Sequence, residues 1–126
     1  MQLRIDHVAL AVRDYGAAKA FFERVFGVLP GAGAPDQRLG FSWRVFSLGD
    51  LSRLEILAPL GSESFLKEFL RTRAGGLHHI TLQTDDIHAA RAHLDRCEVP
   101  YFGFSDADPD WKELFIHPRD AFGVLI

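Results

Sequence analysis

A chain of 126 residues is long enough to bury a real core and short enough for one compact domain. Its net charge of −3, with no basic run, gives nucleic acid no electrostatic footprint. The single cysteine, Cys97, excludes an internal disulfide and suits a reducing compartment such as the cytoplasm. No stretch has the length needed to cross a bilayer, and the N-terminus lacks a signal-peptide apolar run.

Ile5 to Val12 alternates. Val8, Leu10 and Val12 lie on one face; His7, Ala9 and Ala11 lie on the other. The first face is apolar and predicts a covering helix. The second has small side chains and one His, which predicts room on that side. Asp14 is placed to cap a helix with apolar positions Ala17, Ala18, Phe21, Phe22, Val25 and Phe26, stopped by Gly27. Val28 to Pro35 is a Gly/Pro-rich connection that suits a short edge strand. Gly40 to Leu48 and Arg53 to Ala58 read as strands around a turn at Gly49-Asp50. Leu54 and Ile56 share one face of the second; Arg53, Glu55 and Leu57 share the other. Ser62 to about Thr72 reads as a short amphipathic helix with Phe65, Leu66, Phe69 and Leu70 as its stripe.

Gly75-Gly76 predicts a hinge, after which the pattern begins again. His79 follows His7 by 79 − 7 = 72 positions. At that offset Leu10 falls on Leu82, Asp14 on Asp86, Ala17 on Ala89, Ala18 on Ala90, Ala20 on Ala92 and Arg24 on Arg96. The repeat runs through a strand and its helix, so it duplicates a supersecondary unit. His79, Thr81 and Gln83 take the open face. Asp86 caps a helix through about Cys97, with Ile87, Ala90, Leu94 and Cys97 inward. Strands at Tyr101 to Phe104, Lys112 to His117 and Phe122 to Ile126 follow, with an acidic loop from Ser105 to Asp110. The expected fold is α+β. Two β-α-β-β-β modules, about 3–60 and 76–126, are joined by a helix at about 62–73 in one domain.

His7, Glu55 and His79 fall on three predicted strands, all on the open faces. Two imidazoles and a carboxylate make a divalent-metal donor set. A single His at a strand start is more often a hydrogen-bonded structural residue. Two at repeat-equivalent positions, with a Glu on an open face, tip the balance to metal. His78 has the opposite parity. His88 and His93 lie on a predicted helix facing solvent, and His117 before Pro118 reads as structural. Glu55 maps to position 55 + 72 = 127, one place after Ile126, where a fourth ligand is expected.

The segments Ile5-Asp6-His7-Val8-Ala9-Leu10-Ala11-Val12, Leu54-Glu55-Ile56-Leu57-Ala58-Pro59-Leu60 and Gly76-Leu77-His78-His79-Ile80-Thr81-Leu82, with the final His117-Pro118 to Gly123-Val124-Leu125-Ile126 run, resemble the vicinal oxygen chelate superfamily. That group takes in glyoxalases, methylmalonyl-CoA epimerases, extradiol dioxygenases and bleomycin resistance proteins. The Leu57-Ala58-Pro59-Leu60 segment, the short helix and the His pair are most similar to the epimerases. The resemblance implies paired modules with pseudo-twofold symmetry, forming a curved mixed sheet around one metal and ligand cavity. It implies His7, Glu55 and His79 as ligands of Zn, Co, Ni, Mn or Fe. It implies a homodimer and a small substrate with neighbouring oxygens, such as a CoA thioester, passing through an enolate.

An acid/base carboxylate of the epimerases is expected near Arg38, Leu39 or Gly40. No Glu occurs between Glu23 and Glu55, so Asp36 is the substitute candidate beside Glu55 itself. Two other readings share the donor set or the cavity: an extradiol-type dioxygenase, and a metal-free binding protein of the resistance type.

Overall fold

The computed structural model describes residues 1–126. The chain divides into two compact units, His7–His78 and, together, Met1–Asp6 with His79–Ile126. The division falls within two strands, β1 (Leu3–Val12) and β5 (Gly75–Thr84).

In the His7–His78 unit, β1 leads into helix α1 (Tyr15–Phe26). Asp14 caps it by accepting the Ala17 N–H at 2.9 Å. Gly27, in left-handed backbone at φ 63°, closes it through its N–H to the Glu23 carbonyl. Three strands follow: β2 (Leu29–Asp36), β3 (Phe41–Ser47) and β4 (Arg53–Pro59). The sheet order is β2-β3-β4-β1-β5, with β1 and β4 parallel and β3 antiparallel to both its neighbours. The Gly/Pro-rich connection is thus a full edge strand, bulged between Pro30 and Gly33.

The two sheet faces are covered by different helices. Val28, Phe46 and Ile56 pack with Val12, Tyr15, Ala18 and Phe22 under α1. Only part of the expected helix stripe turns inward; Phe21, Val25 and Phe26 remain exposed. On the opposite face Ala11 and Leu57 pack against Leu66 and Leu70. The face expected to be open is therefore closed at this end, and Ala9 and Ala11 are fully buried.

That cover is helix α2 (Leu66–Phe69), shorter than the expected 62–72. Ser64 Oγ accepts the Leu66 N–H at its start. At its end the Arg13 guanidinium donates to the carbonyls of Leu70 and Arg71, which turns the chain away. Gly75 is not a hinge but the first residue of β5. A Cβ there would lie 2.9 Å from the Ala11 carbonyl oxygen, so the close strand approach requires glycine.

In the second unit α3 (Ile87–Arg96) follows β5, and Asp86 caps it through the N–H groups of His88 and Ala89. Cys97 is exposed rather than inward. Strands β6 (Phe102–Asp108) and β7 (Trp111–Phe115) form an antiparallel pair. The expected acidic loop is mostly the end of β6. The expected last strand shrinks to one bridge, Leu125 beside His79. The reason is local: a 3₁₀ turn at Pro118–Asp120 is followed by Phe122 and Gly123, both at positive φ. No helix is long and apolar enough to cross a membrane.

Candidate metal centre

β1 and β4 run parallel with Ala9 opposite Glu55. This register brings His7 Nε2 to 3.2 Å from Glu55 Oε2. Both side chains are nearly buried, at 13% and 11% exposure. A carboxylate withdrawn this far from water needs a partner, and a charge-assisted contact or a metal supplies one. His79, the third candidate ligand, lies on β5 at the start of the other unit.

The donor chemistry fits a divalent cation. Ligand atoms arranged tetrahedrally around Zn²⁺ sit about 3.4 Å apart, given bonds of about 2.1 Å. The His7–Glu55 separation of 3.2 Å is close to that figure. Two imidazoles and one carboxylate suit zinc, iron and neighbouring first-row metals alike.

Asp36 is not brought to this group. It lies opposite Phe41 on the edge of the sheet, and Phe41 lies opposite Pro59. Pro59 is four residues along β4 from Glu55. Four strand residues and two strand spacings amount to roughly 16 Å. The Asp36 carboxylate instead accepts the Leu39 N–H at 3.0 Å, and its carbonyl accepts the Gly40 N–H at 2.9 Å. It holds the turn in which the epimerase carboxylate was expected.

The other histidines have structural surroundings. His78 lies edge-on to Phe65 and Phe69, with ring centroids at 5.8 and 5.2 Å. His117 Nδ1 accepts the Arg119 N–H and caps the 3₁₀ turn. His88 sits 3.4 Å from Asp106, and His93 lies against Arg96 and Cys97 on the exposed side of α3. A shallow cleft of about 230 Å³ at Gln2, Leu3, Arg4, Gln83, Thr84 and Asp85 contains none of the three candidate ligands.

The sequence did not point to Arg13. Its guanidinium secures α2 against the face that carries Ala11 and Leu57. Arg13 and Leu70 are 57 positions apart, so no local pattern links them.

A family model, the Glyoxalase/Bleomycin resistance protein/Dioxygenase superfamily, matches residues 6–115. The mitochondrial methylmalonyl-CoA epimerase of Bos taurus is 35% identical over 126 residues, covering 98% of this chain and 71% of the bovine one. The ethylmalonyl-CoA/methylmalonyl-CoA epimerase of Cereibacter sphaeroides is 34% identical over 127 residues, covering 98% and 94%. A solved methylmalonyl-CoA epimerase in complex with methylmalonyl-CoA and NH4+ superposes with a TM-score of 0.82 at 26% identity, over 99% of this chain and 92% of that one. These relatives are enzymes, and an epimerase-type enzyme with the expected α+β fold is what they support. The chain belongs to the Glyoxalase/Bleomycin resistance protein/Dioxygenase superfamily.

Proposed function

We propose that the protein epimerises an α-substituted malonyl-CoA thioester, with His7, Glu55 and His79 as ligands of a divalent metal. The observation that carries this is the nearly buried His7–Glu55 pair at 3.2 Å; His79 is the repeat counterpart of His7. A Zn, Co, Ni, Mn or Fe ion held there would supply Lewis acidity at a substrate carbonyl and lower the pKa of the adjacent C–H. His7 and His79 hold their ligand nitrogens on strands, which fixes them better than loops would. Ala9, fully buried beside Glu55, keeps bulk and water away from the carboxylate.

Epimerisation needs a proton removed from the α-carbon and returned on the opposite side. Glu55 carries the only carboxylate of the three proposed ligands. With Asp36 committed to its turn, Glu55 is the group within the set that can exchange a proton, at the cost of basicity while it is a ligand. The test is deuterium incorporation at the α-carbon of methylmalonyl-CoA in D₂O, using metal-loaded protein. Bound metal without exchange would sink the epimerase reading.

The same two-His-one-carboxylate set suits Fe(II) and oxygen chemistry. Oxygen uptake with Fe(II) and a catechol separates that reading from the first. We also infer a homodimer in one domain-sized protomer, supported by the exposed α1 face: Phe21, Val25 and Phe26 are 47%, 49% and 63% exposed. Phe26→Glu should then give a monomer by light scattering.

A further inference from the structure

Phe122 is wholly exposed, and its φ is 55°. A bulky L-residue rarely adopts that backbone. Gly123 beside it is also left-handed, at φ 93°, but glycine bears this without penalty. The turn is well ordered by hydrogen bonds. Asp120 N–H reaches the His117 carbonyl at 2.8 Å, Gly123 N–H the Pro118 carbonyl at 2.8 Å, and Val124 N–H the Ala121 carbonyl at 3.2 Å. An ordered backbone therefore holds the ring out into solvent. Exposure of the ring and strain in its backbone both oppose folding, and no contact within the fold offsets either. Outliers of this kind gather at ligand clamps.

The position of the turn supports that reading. Three residues on, Leu125 bridges His79, and its carbonyl takes the Ile80 N–H at 3.1 Å. Three residues of chain span at most about 11 Å, and adjacent strands lie about 5 Å apart. Phe122 therefore lies within roughly 16 Å of His79 along this path. The pantetheine arm of a CoA thioester is longer than that gap, and its alkyl and amide groups pack well on an aromatic face.

We propose that Phe122 contacts the thioester arm of the ligand bound at His79, and so sets affinity rather than the chemical step. This rests on the substrate class proposed above. Phe122→Gly removes the ring and relieves the backbone together, so it should fold and melt at a higher temperature than the parent. In metal-loaded full chain, its KM for methylmalonyl-CoA should rise several-fold while kcat changes by less than about twofold. Phe122→Leu should restore most of the affinity. A higher melting temperature with an unchanged KM would overturn the proposal, because the ring would then be merely tolerated. Loss of dimer in Phe122→Gly with KM unchanged would overturn it too, by assigning the ring to a second copy. If the parent protein shows no exchange at all, the substrate reading fails on its own terms. The contact can still be read then from Phe122→Trp titrated with propionyl-CoA, with the parent as the blank for Trp43 and Trp111. A saturable emission shift supports the contact, and a flat titration refutes it.

Discussion

Leu125 lies beside His79 in a parallel bridge, in the same relation that Leu54 bears to Val8 on β4 and β1. Both pairs are 46 residues apart (125 − 79 = 54 − 8 = 46). The repeated sequence is thus repeated in strand register as well as in helix caps. Carried on by two residues, the same register would set position 127, the repeat counterpart of Glu55, opposite Thr81, as Glu55 lies opposite Ala9.

In a chain that carries position 127, a Glu there should therefore bind metal more tightly than an Ala there. A fourth ligand adds to the three proposed donors. We expect a difference on the order of tenfold or more in affinity between the two. Competition with a chromogenic chelator measures it. Equal affinities for the two forms would count against the register.

His7→Ala should strip most bound metal, and Glu55→Gln should weaken it. His93→Ala should leave metal content unchanged, since His93 sits on the exposed side of α3 against Arg96 and Cys97. Elemental analysis of the three purified variants decides the matter. Equal content in His7→Ala and His93→Ala would refute the ligand assignment.

Much of this site was legible because strand parity is a local property. His7 with Ala9, and Glu55 with Leu57, follow from period-two alternation alone. The coverage of those faces was not legible. Whether Ala11 meets space or Leu66 depends on a chain reversal more than fifty positions later, held by Arg13. The last strand failed for a different reason. Val124, Leu125 and Ile126 have strand character, but Phe122 and Gly123 at positive φ end the turn too late for more than a bridge. The loss of α1 stripe residues to solvent, Phe26 above all, is invisible to periodicity because the pattern reports a face and not what covers it.

Asp36→Asn should retain solvent exchange if the parent shows it. The carboxylate accepts the Leu39 N–H, and an amide oxygen can do the same. Asp36→Ala should destabilise by about 1 kcal/mol through loss of that bond, with exchange again retained. Urea melts give the first quantity and deuterium incorporation the second. Abolished exchange in a folded Asp36→Asn would return Asp36 to the chemistry.

Acid should loosen the Gln2–Asp85 contact. The Gln2 N–H donated to Asp85 Oδ1 at 3.1 Å holds that carboxyl below its ordinary value of 3.8. A depressed folded pKa means that the unfolded chain binds more protons in the window below 3.8. The contribution is therefore complete above 3.8 and fades as pH falls through the lower folded value. The difference in melting temperature between the parent and Asp85→Asn should be small near neutrality and shrink as the pH falls below 3.8. A difference that grows on acidification would have the wrong sign.

Arg13 should be more than a surface cation. Its Nε donates to the Leu70 carbonyl at 2.9 Å and its Nη2 to the Arg71 carbonyl at 3.0 Å. These bonds fasten the end of α2, whose Leu66 is fully buried against Ala11 and Leu57. Leu66→Ala should cost about 2–5 kcal/mol, as deletion of a packed core leucine does. Arg13→Ala should cost less in global stability, about 1–2 kcal/mol, because water can reach the freed carbonyls. Its signature is local. Amide exchange in residues 64–73 should speed up while β3 and β4 keep their protection. Arg13→Lys should not restore it, since an ammonium cannot reproduce the planar fork that spans two carbonyls. Uniform loss of protection across the sheet would show that Arg13 supports the whole unit and not the α2 cover.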